Sequence, residues 1–525
     1  MSCPAAPPHA TWPFAAALLA AICVPTFAQD EAVVTPAADQ PAVESGTETS
    51  WGVMLLGGER IGWTRSTTGP LGQGEDAGTR SDVETNMTFS RFGQEIKMSV
   101  ALTADEGADG RLRAYKMVTK NPGSAPTTAT GERDGDLMRI TSVVNGKEST
   151  RTVEIPADAK GPSYLETVIA GDDLQPGRPQ SFRTFFPDLE KVGTTTVAIA
   201  DGPEAIETPT GEIRKLTAVT VTHDVLPIAT TIYVDEERES VFDSTNMLGQ
   251  AMITYEVTQE EALRAVFGKG GDVGFDTLVT VDVVPNVHQT KRIVYEVVVE
   301  DAAPTELFLA TESQRVEPLG ENRARVTVTG LPIPETATAG AAPDLLKSTR
   351  YLQCDDARVI AHATAAAPAD APAGAVAVAC AKYVKETLTN KNFSTALASA
   401  AEVAEKLSGD CTEHSVLCAA MMRARGIPAR VCVGLVTIPG AGQMGGHMWV
   451  ETLLDADGPA GPQQAIWTPL DPSITGGPIG GGHLLLGRSD LDDGDDSPVV
   501  SFLPMLEVLG KLTAEIVDAK QPESK

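Results

Sequence analysis

Positive charge is scarce in this sequence. Lys and Arg number 41 against 71 Asp and Glu, giving a formal net charge of -30 over 525 residues. No run of Lys or Arg offsets this locally, so phosphate backbones and anionic headgroups would be repelled and nucleic-acid binding is excluded. Long apolar runs are missing too. Beyond residue 28 no segment approaches the ~20 apolar residues a spanning helix needs, which leaves no stable membrane span. No internal repeat recurs along the chain. What is present is an apolar fraction of 42% with 21% charged residues, the balance of a globular protein. At ~100–200 residues per domain, two to four domains are expected.

The first 28 residues carry no charged side chain. Residues 14–24 are uniformly apolar and are followed by Pro25 and the small-residue pattern Thr26-Phe27-Ala28. That is the length of a secretory signal's hydrophobic part, and cleavage after Ala28 is expected, although the usual basic start is missing. Ile22 is too bulky for the residue before a lipidated Cys23. The mature chain is therefore expected to be exported, periplasmic or secreted. It would retain Cys354, Cys380, Cys411, Cys418 and Cys432, an odd number that an oxidising compartment cannot pair completely. Cys354 and Cys380 flank an Ala/Pro-rich stretch and could form a disulfide.

Residues 29–50 lack an apolar period and read as a flexible leader. Residues 51–270 show strand-like alternation broken by turn residues, as at 53–56 and 61–64 around Gly57-Gly58, and end in a short helix at 259–267. A second β-rich region and linker covers 271–345, with strands at 277–284, 293–299 and 324–328. Ala/Pro-rich material at 363–373 suggests another linker. Helical spacing follows at 376–388 and 396–407, within a domain placed at 346–510, and 511–525 reads as a tail.

The chemistry sits at residues 409–472. Asp410 is a good helix N-cap, and Glu413 stands at the capping-box distance in front of an apolar helix running to Arg425. Cys411 is then the first helical residue, where unsatisfied N–H groups and the helix dipole favour thiolate. A strand at 429–437 and a glycine-rich loop at 440–446 lead to a strand placing His447, Trp449 and Glu451 on one face; another ends at Asp471-Pro472. Cys411, His447 and Asp471 thus lie at element ends, where they can converge into a Cys-His-Asp relay that attacks an amide carbonyl.

Gly409-Asp410-Cys411 with Glu413-His414, Gly426-Ile427-Pro428-Ala429-Arg430, Gly446-His447-Met448-Trp449-Val450-Glu451 and Trp467-Thr468-Pro469-Leu470-Asp471-Pro472 resemble, in that order, the transglutaminase-like superfamily of bacterial exported proteins. The resemblance spans residues 346–480. It implies an α+β architecture, a papain-like transglutaminase core at the C-terminal end preceded by β-rich N-terminal domains. By it Cys411 aligns with the nucleophile, His447 with the base and Asp471 with the third member, while Met448 stands where many relatives have Ala. The activity implied is cysteine peptidase or amidase chemistry on peptide or protein substrates, with hydrolysis and amine transfer both open. No cofactor or metal belongs to this reading.

Two other readings use the same residues. The chain could be a non-enzymatic binding or scaffold protein on this fold, or Cys411, His414, His447 and Asp471 could hold a metal. Cys418, seven residues past Cys411, and Cys432 read as packed core thiols. Trp449 and Trp467 are cleft walls or core aromatics. Residues 490–496 hold five aspartates but fail the EF-hand register and read as a solvated loop. His223, His288, His362 and His483 have no sequence companions.

Overall fold

The computed structural model describes residues 46–74, 77–122, 124–264, 272–390, 397–458, 461–493 and 498–522. The expected signal and most of the expected leader lie outside the described residues, as does the part of the acidic loop beyond residue 493.

Alternation builds the N-terminal part. Along Gly78–Arg91 and Gln94–Gly107, buried and more exposed residues alternate, and the register pairs Met87 with Met98 and Phe89 with Ile96. Two up-and-down meanders, residues 48–154 and 180–257, join where Glu48–Leu56 pairs with Gln250–Val257, giving a 15-stranded antiparallel sheet. The sheet curls enough for Phe185 to share a core with Leu102, Met138 and Ile140. Met54, Met87, Phe89 and Met98 instead belong to the core that also holds Val416, Leu417 and Met421, so the sheet packs against the C-terminal part.

Three expectations change. The strand expected over 277–284 shrinks to Val279–Thr280; its start is taken up by Thr277, whose hydroxyl donates to the Val273 carbonyl and closes the short helix Val273–Asp276, itself capped by Asp272. The stretch 363–373, read as a linker, overlaps the helix Ala357–Ala366, where Asp356 caps the start and Ala363 is buried; alanine costs little to order in a helix. Residues 511–525, read as a tail, contain the strand Leu512–Lys520. It pairs with Arg292–Val299 and buries Leu512 and Ala514. With Gln314–Pro318 and Arg323–Thr329 these form a four-stranded sheet. The helix expected at 259–267 is found as Gln259–Ala262, capped by Thr258, while residues 265–267 of the expected span lie outside the described residues.

The rest is α+β. Helices Ala357–Ala366, Ala373–Thr387 and Ala400–Lys406 surround Cys411–Ala424, which is buried from Cys411 to Arg423, as its all-round apolar interior requires. This helix packs on a seven-stranded sheet ordered Gly477–Pro478, Gly461–Asp471, Gln443–Gly458, Ala429–Ile438, His483–Ser489 along its main path.

Candidate active site

The start of the Cys411–Ala424 helix is fixed by its own sequence. Asp410 Oδ1 accepts from the Thr412 amide and hydroxyl, each at 2.8 Å, and Glu413 Oε2 accepts from the Asp410 amide at 2.9 Å, completing the capping box. Glu413 Oε1 accepts from Ala398 N–H at 3.0 Å, tying the cap to the preceding loop. Gly409 is obligatory here: its φ is +144°, and a Cβ would lie 2.4 Å from Glu413 Cβ. Burial, and then the neighbouring Asp410 charge, push the Glu413 carboxyl well above its ordinary range. Cys411 therefore opens a rigid helix at its positive end and is 3% exposed.

His447 lies on Gln443–Gly458 opposite Gly434, and this strand packs against the Cys411 helix. Its Nε2–H donates to Asp471 Oδ2 at 2.9 Å. Asp471 ends its strand, and its Oδ1 accepts from the Ser473 amide and hydroxyl and from Ile474 N–H at 2.7–2.9 Å. Burial alone would raise the Asp471 carboxyl. The His447 charge and hydrogen bond, together with the His483 hydrogen bond, outweigh it and hold the group well below the carboxylate range. Since an ionised carboxylate only accepts, His447 carries its hydrogen on Nε2, and its buried Nδ1 has no hydrogen-bond partner among the described residues. The ring is thus tethered at one nitrogen and bare at the other.

His483 is the residue the sequence reading missed. Its Nε2–H donates to the same Asp471 Oδ2 at 3.0 Å, and its ring meets Trp449 edge-on at 5.2 Å and His288 at 5.1 Å. Burial lowers its basicity, so it sits neutral. A signal did exist in Gly480-Gly481-Gly482: a Cβ on Gly481 would meet Ile293 N at 2.6 Å, and one on Gly482 would meet His288 Nδ1 at 2.9 Å, so only glycine lets this strand close on its neighbours.

The other candidates separate. His414 Nδ1 donates to the Asp410 carbonyl at 2.6 Å and so belongs to the helix start. Among the described residues, the potential metal ligands that cluster are His447, Asp471 and His483; the set with Cys411 and His414 anticipated from sequence does not. Trp449 is buried and stacks near His447 at 6.2 Å, whereas Trp467 lies under the Arg430 guanidinium at 3.7 Å. His362 braces two helices, through the Tyr383 hydroxyl and the Ala404 carbonyl at 3.0 Å each. No disulfide joins Cys354 to Cys380. Burial raises both thiols and those of Cys418 and Cys432, Cys380 to about 12, which makes these four poor nucleophiles.

A family model described as the transglutaminase-like superfamily matches residues 360–472. No curated protein matches the chain. Among solved structures, the periplasmic domain of TgpA from Pseudomonas aeruginosa, bound to ethylmercury, is 19% identical, with a TM-score of 0.24 and coverage of 36% of this chain and 76% of its own. A candidate cysteine protease from Cytophaga hutchinsonii is 14% identical, with a TM-score of 0.29 over 45% and 90%. A β-barrel-like protein of a domain of unknown function from Brucella abortus is 12% identical, with a TM-score of 0.29 over 41% and 98%. Among the described residues no helix is long and apolar enough to cross a membrane.

Proposed function

We propose that this chain, whose residues 360–472 match the model of the transglutaminase-like superfamily, is an exported cysteine-dependent amide hydrolase or acyl transferase acting on peptides or proteins through Cys411, His447 and Asp471. The observation that carries the proposal is the half-tethered ring of His447: Nε2 is tied to Asp471 and Nδ1 is bare, on the strand packed against the helix that Cys411 opens. That is the state a general base needs, one tautomer fixed and one lone pair available.

In the reaction, Nδ1 takes the Cys411 proton and the sulfur attacks the amide carbon, forming a C–S bond and moving the carbonyl π pair onto oxygen. Backbone N–H groups at the helix start, that of Cys411 among them, stabilise this oxyanion. The C–N bond then breaks as the imidazolium protonates the leaving amine, which leaves a thioester. Water or an amine, deprotonated by the same Nδ1, then attacks the thioester carbon; the C–S bond breaks, releasing acid or a new amide, and the imidazolium returns its proton to the Cys411 sulfur. Asp471, held ionised, stabilises the imidazolium and keeps its own negative charge throughout.

A scaffold role is the second reading, and one observation favours it: Cys411, His447 and Asp471 are 3%, 1% and 0% exposed. Thiol labelling with an electrophilic peptide, read by mass spectrometry, separates the two. The enzyme reading requires Cys411 to be labelled near neutral pH and His447→Ala to abolish that labelling. If Cys411 reacts as slowly as Cys418, with no dependence on His447, the scaffold reading stands.

A further inference from the structure

Arg91 ends the strand Gly78–Arg91 at the tip of a hairpin. Phe92 and Gly93 turn with φ of +50° and +78°, and Gln94 opens the return strand. Asp272 clamps the tip, its Oδ1 accepting from Phe92 N–H at 2.7 Å and its Oδ2 from Gly93 N–H at 2.6 Å, while Phe275 meets Phe92 edge-on at 5.2 Å. A tip held on two sides has a fixed direction, and it aims a guanidinium. Arg91 Nη2 lies 3.0 Å from Asp410 Oδ2, with both side chains 1% exposed. The partners are 319 residues apart, and Asp410 is the residue immediately before Cys411.

Among the described residues, two carboxyls and one guanidinium meet at this helix start. Asp410 and Glu413 are both buried within one turn of Cys411. Burial and the Asp410 charge hold Glu413 in its neutral form, which leaves one anion, Asp410, beside one cation, Arg91. Other titratable groups on or around this helix, among the described residues, are His414 and, in its last turn, Arg423 on the helix itself, Glu402 on Ala400–Lys406 and His447 on the packed strand, with Asp471 and His483 behind it. His362 on Ala357–Ala366 is taken up by the Ala404 carbonyl and Tyr383, and Cys380 on Ala373–Thr387 faces Cys418, two turns along.

We propose that Arg91, carried in by the N-terminal sheet, is a positioning residue of the Cys411 centre: it fixes the N-cap of the nucleophile helix and supplies the positive charge that lets a buried carboxylate lie beside a thiolate. The inference rests on the cysteine-enzyme reading and deepens it, because the β-rich part is then a component of the active centre. Without Arg91, an uncompensated Asp410 charge would oppose ionisation of Cys411.

The test is the pH dependence of iodoacetamide alkylation at Cys411 in the full chain, followed by mass spectrometry for the wild type, Arg91→Met, Arg91→Lys, Asp410→Asn and the Arg91→Met/Asp410→Asn double variant, with folding checked by circular dichroism. Arg91→Met should raise the alkylation midpoint by about one pH unit, and Arg91→Lys should restore most of it. Arg91→Met can fail to fold because it strands a buried carboxylate. The double variant strands no charge and keeps an Asn cap, and its midpoint should lie about one unit above that of Asp410→Asn alone. Equal midpoints for those two variants overturn the role of Arg91. A wild-type midpoint at the value of an ordinary thiol overturns the cysteine-enzyme reading itself, and the two failures are thereby told apart.

Discussion

His447 and His483 share a single carboxylate oxygen, Asp471 Oδ2, at 2.9 and 3.0 Å. One acceptor thus orients two imidazoles from strands that lie on opposite sides of Ala429–Ile438. With Oδ1 taken by Ser473 and Ile474, the carboxylate cannot rotate away from His447. His483→Phe removes one of these donors and should lower kcat/KM by roughly tenfold, the worth of one charge-assisted hydrogen bond. His483→Gln retains a donor and should recover most of that loss. Steady-state kinetics on a peptide amide found active with the wild type measures both.

Asp471→Asn keeps the shape and loses the charge. The amide can present its N–H toward His447 and favour the wrong tautomer, so turnover should fall by about 10³-fold or more while thermal stability changes little by comparison. Retained turnover in a correctly folded Asp471→Asn protein would remove Asp471 from the relay.

Gly409→Ala tests whether the nucleophile's position depends on the chain before it. At φ of +144°, with Glu413 Cβ 2.4 Å from a new methyl, the substitution must displace the capping box. A loss of about 2 kcal/mol or more in denaturant unfolding is expected, together with lower reactivity of Cys411.

A pH effect on stability arises far from the site. Burial raises Asp243 to about 8, against an ordinary value of 3.8. The folded chain therefore holds a proton that the unfolded chain has released, so this group's contribution to stability is full below about pH 4 and is lost as pH rises through 8. Asp243→Asn should raise Tm by a few degrees at pH 8 and leave it almost unchanged at pH 4, as read by calorimetry. His223, lowered to about 4 by burial, works in the opposite sense: it is charged in the unfolded chain below about pH 6.5 but neutral in the fold, so stability falls as pH drops through that window.

What was legible in the sequence is what local rules govern. The Asp410–Glu413 spacing specified the cap and the position of Cys411, because a capping box lies within four consecutive residues. His447 was legible from its alternating strand and Asp471 from the proline after it. His483 was not, because its partner lies twelve residues away and three strands across, and nothing local encodes that pairing. Arg91 was illegible for the same reason on a larger scale. The linker at 363–373 was misread because alanine next to proline looks like punctuation, while Asp356 and the burial of Ala363 make the preceding residues helical. The strand Leu512–Lys520 was missed because its inward residues, Leu512 and Ala514, are too few to mark a period without the partner strand.

That last strand sets how the molecule can come apart. Arg292–Val299 lies between Arg323–Thr329 and Leu512–Lys520, so the helices and the sheet bearing His447 are strung between two ribbons zipped side by side. Removing the strand Leu512–Lys520 would bare the backbone of Arg292–Val299 and leave a sticky seam open to a neighbouring molecule. This strand is then a clasp: paired, it fastens residues 292–520 into a closed loop, and removed, it exposes an edge to self-association.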